Sequence, residues 1–203
     1  MTDSVRASLL RKAFLPVLIA AGLFTSGCNA RSTIFEKMAD GFARKFGVTE
    51  IRAPELIKRL AAGRPTLLID VREPAEQSVS ILAGAVRISP RDNPAELKQY
   101  RDFLNRHAAG DSEASKQALV VVYCAGGYRS AEAITRVPST ERAQTARPPI
   151  LNLHGGIIAY ANAGGPLIEP TTGKAVNIVH GYNRYWATFV EAPARAVLKP
   201  PIK

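Results

Sequence analysis

Two short, nearly unbroken apolar runs, Thr66-Leu-Leu-Ile-Asp-Val71 and Leu119-Val-Val-Val-Tyr123, dominate the pattern of the chain. Continuous rather than alternating apolar positions predict strands covered on both faces, as in a parallel sheet. The second run is the more strongly apolar and belongs at the centre of that sheet. Ala85–Ile88 and Ile150–Leu153 read as further strands, and a short edge strand is expected around 48–52. Helical spacing separates them. Phe35, Met38, Phe42 and Phe46 recur on one face of 32–46, and Leu56, Ile57 and Leu60 follow Pro54, with Gly63 as the stop. Asn93-Pro-Ala-Glu96 has the form of a capping box opening a helix that turns Leu97, Tyr100 and Leu104 inward. Further helices are expected from about Ser130 and over Gly156–Ala163, while Gly110–Lys116 reads as a polar loop and Arg136–Pro149 as a polar, Pro-containing connection. Strands alternating with helices predict an α/β fold: a central, mostly parallel sheet of about five strands, flanked by helices through right-handed crossovers. Ligands of such sheets lie beyond the carboxyl ends of the strands, which directs attention to the residues after Tyr123.

The two ends depart from this rhythm. From Thr171 onward there is no alternation of strand and helix, although Val179, Tyr182, Trp186 and Phe189 are spaced as one apolar helical stripe that packs on the domain. At the other end, Arg6, Arg11 and Lys12 precede the uncharged run Ala13–Phe24. That run is too short to cross a hydrocarbon core of roughly 30 Å, and with its basic flank it reads as an export signal. Thr25-Ser26-Gly27-Cys28 resembles the lipobox of bacterial lipoproteins, in which the cysteine is lipidated and becomes the mature N-terminus; Thr25 stands where that family usually has leucine. Asn29, rather than aspartate, implies the outer membrane. The expected organisation is a signal peptide over 1–27, a linker and helix over 28–47, the α/β domain over 48–169 and a C-terminal extension over 170–203.

Composition narrows the function classes. The 203 residues are 46% hydrophobic and 22% charged, an ordinary globular balance that excludes extended disorder and a multi-span membrane protein. The formal net charge of +10 falls to +8 once residues 1–27, with three basic and one acidic side chain, are removed. No nucleic-acid recognition motif accompanies that charge, so a basic surface beside an anionic membrane, or one attracting small anions, is the better use of it. Two cysteines make neither a disulfide scaffold nor a structural zinc site.

The second cysteine carries the chemistry. Cys124-Ala-Gly-Gly-Tyr-Arg-Ser130 joins the central strand to a helix. Backbone N–H groups of a glycine-rich turn and a helix N-terminus both favour negative charge, and Arg129 adds a cation. Together these favour thiolate over thiol at Cys124 and make it a candidate nucleophile. Gly126 and Gly127 are expected to supply positive φ, so that several N–H groups converge on the sulfur.

From Thr49 to Ile168 the sequence resembles the rhodanese (sulfurtransferase) family. The resemblance rests on four motifs in order: Leu67-Leu-Ile-Asp-Val-Arg-Glu73, Val79-Ser-Ile-Leu-Ala-Gly-Ala85, the Cys124–Ser130 loop, and Leu153-His-Gly-Gly-Ile157 through Ala163-Gly-Gly-Pro166. Ile81, Ala83 and Tyr160 depart from the family's common histidine, proline and tryptophan.

The resemblance implies attack by Cys124 on the outer sulfur of a thiosulfate-like donor, a cysteine persulfide, and its discharge to a thiol or to cyanide, without metal or organic cofactor. It implies an anion-binding loop of Ala125, Gly126, Gly127, Tyr128, Arg129 and Ser130, with Arg129 steering the donor. Asp70 and Arg72 are read as braces, and His154 as lying near the pocket. The alternatives are a non-catalytic sulfur-carrier or protein-binding module, and a phosphatase or arsenate reductase. Related phosphatases have a loop one residue longer than the six from Cys124 to Arg129.

Overall fold

The computed structural model describes residues 30–88, 94–106, 118–142 and 148–199. The export signal, Cys28, Asn93, the Gly110–Lys116 loop and part of the 136–149 connection lie outside these residues. No described helix is long and apolar enough to cross a membrane.

The main sheet contains β1 (Glu50–Ile51), β2 (Thr66–Asp70), β4 (Val86–Arg87), β5 (Leu119–Tyr123) and β6 (Ile150–Leu153). Their spatial order is β1-β6-β5-β2-β4, and every neighbouring pair is parallel. The most apolar strand is therefore the central one, as its sequence predicts. Alternation along β5 explains why it must be apolar throughout. Val121 and Tyr123 enter one core cluster, with Leu68, Leu153, Ile157 and Tyr160. Val120 and Val122, followed by Cys124, enter the other, with Ile69, Tyr100 and Ile134. Burial on both faces is what excludes a polar residue from either register.

Helices fill the two layers: α1 (Ala30–Phe46), α2 (Ala53–Ala61), α4 (Pro94–Arg106), α5 (Tyr128–Thr135) and α7 (Gly156–Asn162). Shorter turns form α3 (Pro74–Gln77) and α6 (Ser139–Arg142), the latter inside the expected polar connection. Pro54 sits in the first turn of α2, and Gly63 ends that segment at φ +62°. α1 docks on the domain through its aromatic face. Phe35 is buried and stacks on Phe189 with ring centroids 5.2 Å apart, while Phe42 and Phe46 meet Tyr128 edge-on at 5.2 and 5.0 Å.

The C-terminal extension differs from its expectation. It packs on the domain, but Val179, Tyr182, Trp186 and Phe189 do not share a helix. β3 (Ile81–Leu82), β7 (Leu167–Ile168) and β8 (Ala175–Val176) form a small antiparallel sheet. β9 (Ile178–His180) then pairs in parallel with β10 (Arg195–Val197), and Val179 is buried on β9. Helix is confined to α8 (Arg184–Ala187) because the chain turns sharply before it: Tyr182 takes φ +61°, and Asn183 caps the new helix by accepting the Trp186 N–H at 3.0 Å. Helical spacing among aromatics thus arose here from a strand, a left-handed turn and a single helical turn.

Candidate active site

Cys124 follows β5 directly, at the carboxyl edge of the sheet. Its side chain is 2% exposed, and Sγ accepts the Gly127 N–H at 3.1 Å. The bend that makes this possible is at Gly127, which takes φ +98° and serves as the N-cap of α5. The N-terminal end of α5 therefore faces the sulfur, and the aligned peptide dipoles there favour negative charge. Gly126, expected to share the left-handed bend, does not take positive φ. Its lack of a side chain serves packing instead, because a Cβ at 126 would run into the Trp186 ring.

The loop is held from behind by the turn entering α7. Gly155 and Gly156 adopt φ +66° and +58°, which lets the Ile157 and Ile158 N–H groups reach the Cys124 and Ala125 carbonyls at 2.8 and 3.1 Å. The His-Gly-Gly-Ile motif is thus a backbone cradle for the nucleophile's own peptide units. Ser130, expected on the anion-binding surface, faces the interior. It is fully buried and donates to Asn152 Oδ1 at 2.6 Å, while Asn152 Nδ2 donates to the Gly127 carbonyl at 3.2 Å. Its hydroxyl fixes the loop to β6 and does not face the cavity.

Arg129 is committed more tightly than the sequence suggests. Its guanidinium makes a two-pronged pair with Glu76, Nη1 to Oε2 at 2.6 Å and Nη2 to Oε1 at 2.7 Å. Both side chains are nearly buried, 9% and 2% exposed. Burial opposes both charges. The hydrogen bonds and attraction to Glu76, with the field of the Cys124 sulfur, outweigh it and hold Arg129 above the ordinary arginine value. Burial likewise pushes Glu76 up, but Arg129 brings it below the ordinary carboxylate value. The cation expected to steer the donor is therefore held by a buried carboxylate.

Asp70 and Arg72 lie behind this pair. Arg72 is fully buried, donates to Asp70 at 2.7 Å and reaches the Ser80 carbonyl at 2.6 Å. Burial opposes its charge, but Asp70 prevails and keeps it firmly protonated. Together they tie the 72–80 segment to the end of β2, and that segment carries Glu76 into position. Glu76 is a functional-site residue that sequence reasoning missed, as it missed Phe42, Glu132, Tyr182 and Trp186 around the cavity. Its one local signal is the capping box it closes at the start of α3, where it accepts the Glu73 N–H at 3.1 Å.

His154 lies away from the cavity, contrary to its expected place near the pocket. Its Nδ1 meets Glu50 at 2.7 Å, and its Nε2 faces Glu36 at 3.0 Å and Asp40 at 3.8 Å. It links β1 and β6 to α1. The Asp40, Glu50 and His154 ligating atoms lie within 4.8 Å of one another. Both ring nitrogens already face carboxylates, and Arg52 pairs with Glu36 at 2.8 Å, so the group reads as a charge cluster. The Glu50 hydrogen bond, against the cost of burial and with the charges of Glu50 and Glu36, raises the His154 pKa. A histidine raised on folding stabilises the fold below its unfolded value, about 6.5, and loses that contribution as pH rises through the folded value. The stability advantage of the native chain over His154→Gln is therefore expected to shrink as pH rises above about 6.5. Paired thermal melts at stepped pH measure it; a flat or widening gap contradicts the clamp.

Above the sulfur is a cavity of about 360 Å³. Cys124, Ala125, Gly126 and Arg129 form its floor, and Tyr128 and Glu132 continue from α5. Phe42 from α1 and Tyr182 and Trp186 from the C-terminal extension complete it.

Residues 52–163 match the model of the rhodanese-like domain. A sulfurtransferase of Allochromatium vinosum is 32% identical over 123 residues, 61% of this chain and 97% of that protein. A probable adenylyltransferase/sulfurtransferase MoeZ of Mycobacterium tuberculosis is 30% identical over 129 residues, 64% of this chain but 29% of that longer protein. Among solved structures, a rhodanese-related protein of Thermoplasma volcanium aligns with a TM-score of 0.44 at 26% identity, covering 60% of this chain and 98% of its own. The chain belongs to the rhodanese-like family.

Proposed function

We propose that this protein is a sulfurtransferase that carries sulfane sulfur on Cys124. The observation that supports it most strongly is the placement of a free cysteine at the end of the central strand, its Sγ accepting the Gly127 N–H at the head of α5 and opening on a cavity. In the first half-reaction the Cys124 thiolate attacks the outer sulfur of a thiosulfate-like donor. A Cys–S bond forms, the donor's S–S bond breaks, and its electron pair leaves on sulfite. The loop and helix N–H groups offer the persulfide a site that favours negative charge. In the second half-reaction a thiolate or cyanide attacks the outer sulfur and returns Cys124 as thiolate. The protein needs no metal or organic cofactor for either step. Ala125, Gly126 and Tyr128 shape the wall around the sulfur, and the Arg129–Glu76 pair orients it. Export and tethering through lipid on Cys28, at the periplasmic face of an outer membrane, belong to the same proposal and rest on residues 6–29 of the sequence.

Thiocyanate release from thiosulfate and cyanide is expected from the native chain and not from Cys124→Ser. Cys124-dependent hydrolysis of p-nitrophenyl phosphate in its place would overturn the reading in favour of phosphatase chemistry.

A further inference from the structure

The residues that close the cavity lie outside the segment that defines the family. Phe42 precedes residues 52–163, and Tyr182 and Trp186 follow them, yet all three line the space above Cys124. Their placement is specified, not incidental. Trp186 lies so close to the loop that position 126 must be glycine. It also meets the Phe35, Phe42 and Phe189 rings at centroid distances of 6.1, 6.2 and 6.0 Å. Tyr182 holds a left-handed backbone at φ +61°, a conformation that costs a non-glycine residue energy and concentrates at functional positions. His180 sustains it: Nδ1 accepts the Tyr182 N–H at 3.1 Å while Nε2 bonds the Leu198 carbonyl at 3.0 Å. The result is a phenol ring centred 4.5 Å from the Arg129 guanidinium carbon.

The cavity suits an organic molecule better than a bare inorganic anion. Its volume of about 360 Å³ falls within the roughly 300–1,000 Å³ of organic-ligand pockets. Its charge balance points the same way. Among the described lining residues Arg129 is the cation; it is paired with Glu76, and Glu132, the carboxylate in the wall, faces Arg136 at 3.9 Å. Lys45 reaches the Tyr128 hydroxyl at 2.8 Å but does not line the cavity. Beyond the loop N–H groups, which serve any anionic sulfur, these paired side chains add little for a dianion, whereas an apolar body gains contact with four aromatic rings.

We infer that Tyr182 and Trp186 determine specificity, selecting a small organic sulfane-sulfur donor, a thiosulfonate or persulfide with an apolar or aromatic body. This rests on the sulfur-transfer reading above. With a thiosulfonate, the Cys124 thiolate bonds to the terminal sulfur, the S–S bond to the sulfonyl group breaks, and the electron pair departs on the sulfinate. With a protonated persulfide the same attack releases the organic thiolate.

Benzenethiosulfonate and thiosulfate, compared as donors with cyanide as acceptor, test the inference. The native chain is expected to show a higher kcat/KM for the aryl donor. The ratio of the two kcat/KM values is expected to fall about tenfold in Trp186→Ala and in Tyr182→Gly. Glycine at 182 relieves the left-handed backbone, and the native ring is 42% exposed, so this variant serves even if Trp186→Ala fails to fold. A native ratio at or below one, or an unchanged ratio in Tyr182→Gly, overturns the inference while leaving sulfur transfer intact. No turnover with either donor overturns the sulfur-transfer reading itself and this inference with it.

Discussion

Glu76→Ala is expected to destabilise the protein by about 3–5 kcal/mol, the range for stranding one member of a buried ion pair. The arginine left behind is the reason. Arg129 has 9% of its side chain exposed and gives two hydrogen bonds to the carboxylate. Alanine removes both acceptors and leaves a largely buried charge without its carboxylate. It also opens the capping box, because Glu76 accepts the Glu73 N–H. Glu76→Gln keeps an acceptor of the same shape and is expected to lose less. The native contribution has a pH signature. Since Arg129 brings the Glu76 pKa below the ordinary carboxylate value, the stabilisation is full above about pH 4.3 and fades as pH falls through the folded value. Urea unfolding of the three proteins at neutral pH measures the ranking. A loss below about 1 kcal/mol in Glu76→Ala would contradict a structural role for the pair.

The second large effect is expected at Gly156, where two costs coincide. Its φ of +58° is unfavourable for any L side chain. A Cβ there would also meet backbone that cannot swing aside: the Cys124 carbonyl, and the Ala125 carbonyl oxygen at 2.6 Å. Relief requires the active-site loop to move away from α7, breaking the Ile157 and Ile158 hydrogen bonds that hold it. Displacing a nucleophile by about 1 Å costs on the order of 100-fold in rate. Gly156→Ala is therefore expected to lose about 3 kcal/mol or more of stability and about 100-fold in transfer rate. Gly164→Ala is the matched control. Gly164 has φ +77° but nothing within 4 Å of a new Cβ. It is expected to lose only the conformational part, about 1–2 kcal/mol, with no loss of rate. Equal effects at the two positions would contradict the cradle.

These two positions mark where the sequence was legible and where it was not. Strand and helix order is local information: β5 reads as central because Leu119–Tyr123 offers no polar face, and Cys124 follows it in the chain. The position of the glycine pair at the start of α7 was likewise visible as a motif. Partners brought together by folding were not. Glu76 and Arg129 are 53 positions apart, and nothing near Glu76 announces a cation. His154, following a central-sheet strand, is expected near the pocket, but α1 brings Glu36 and Asp40 to it on another side. The C-terminal extension is the least legible segment. Its aromatic spacing fits a helical stripe, whereas Gly181, the left-handed Tyr182 and the Asn183 cap divide it between strand and turn. That division is what carries Tyr182 and Trp186 over the cysteine.

If sulfur rides on Cys124, intact-protein mass spectrometry after exposure to thiosulfate and removal of the excess reads it out on the nucleophile itself. A gain of about 32 Da is expected, one sulfur atom, mapped to Cys124, discharged by cyanide and absent from Cys124→Ser. An unmodified Cys124 under these conditions, or an adduct of that mass that persists in Cys124→Ser, would contradict it.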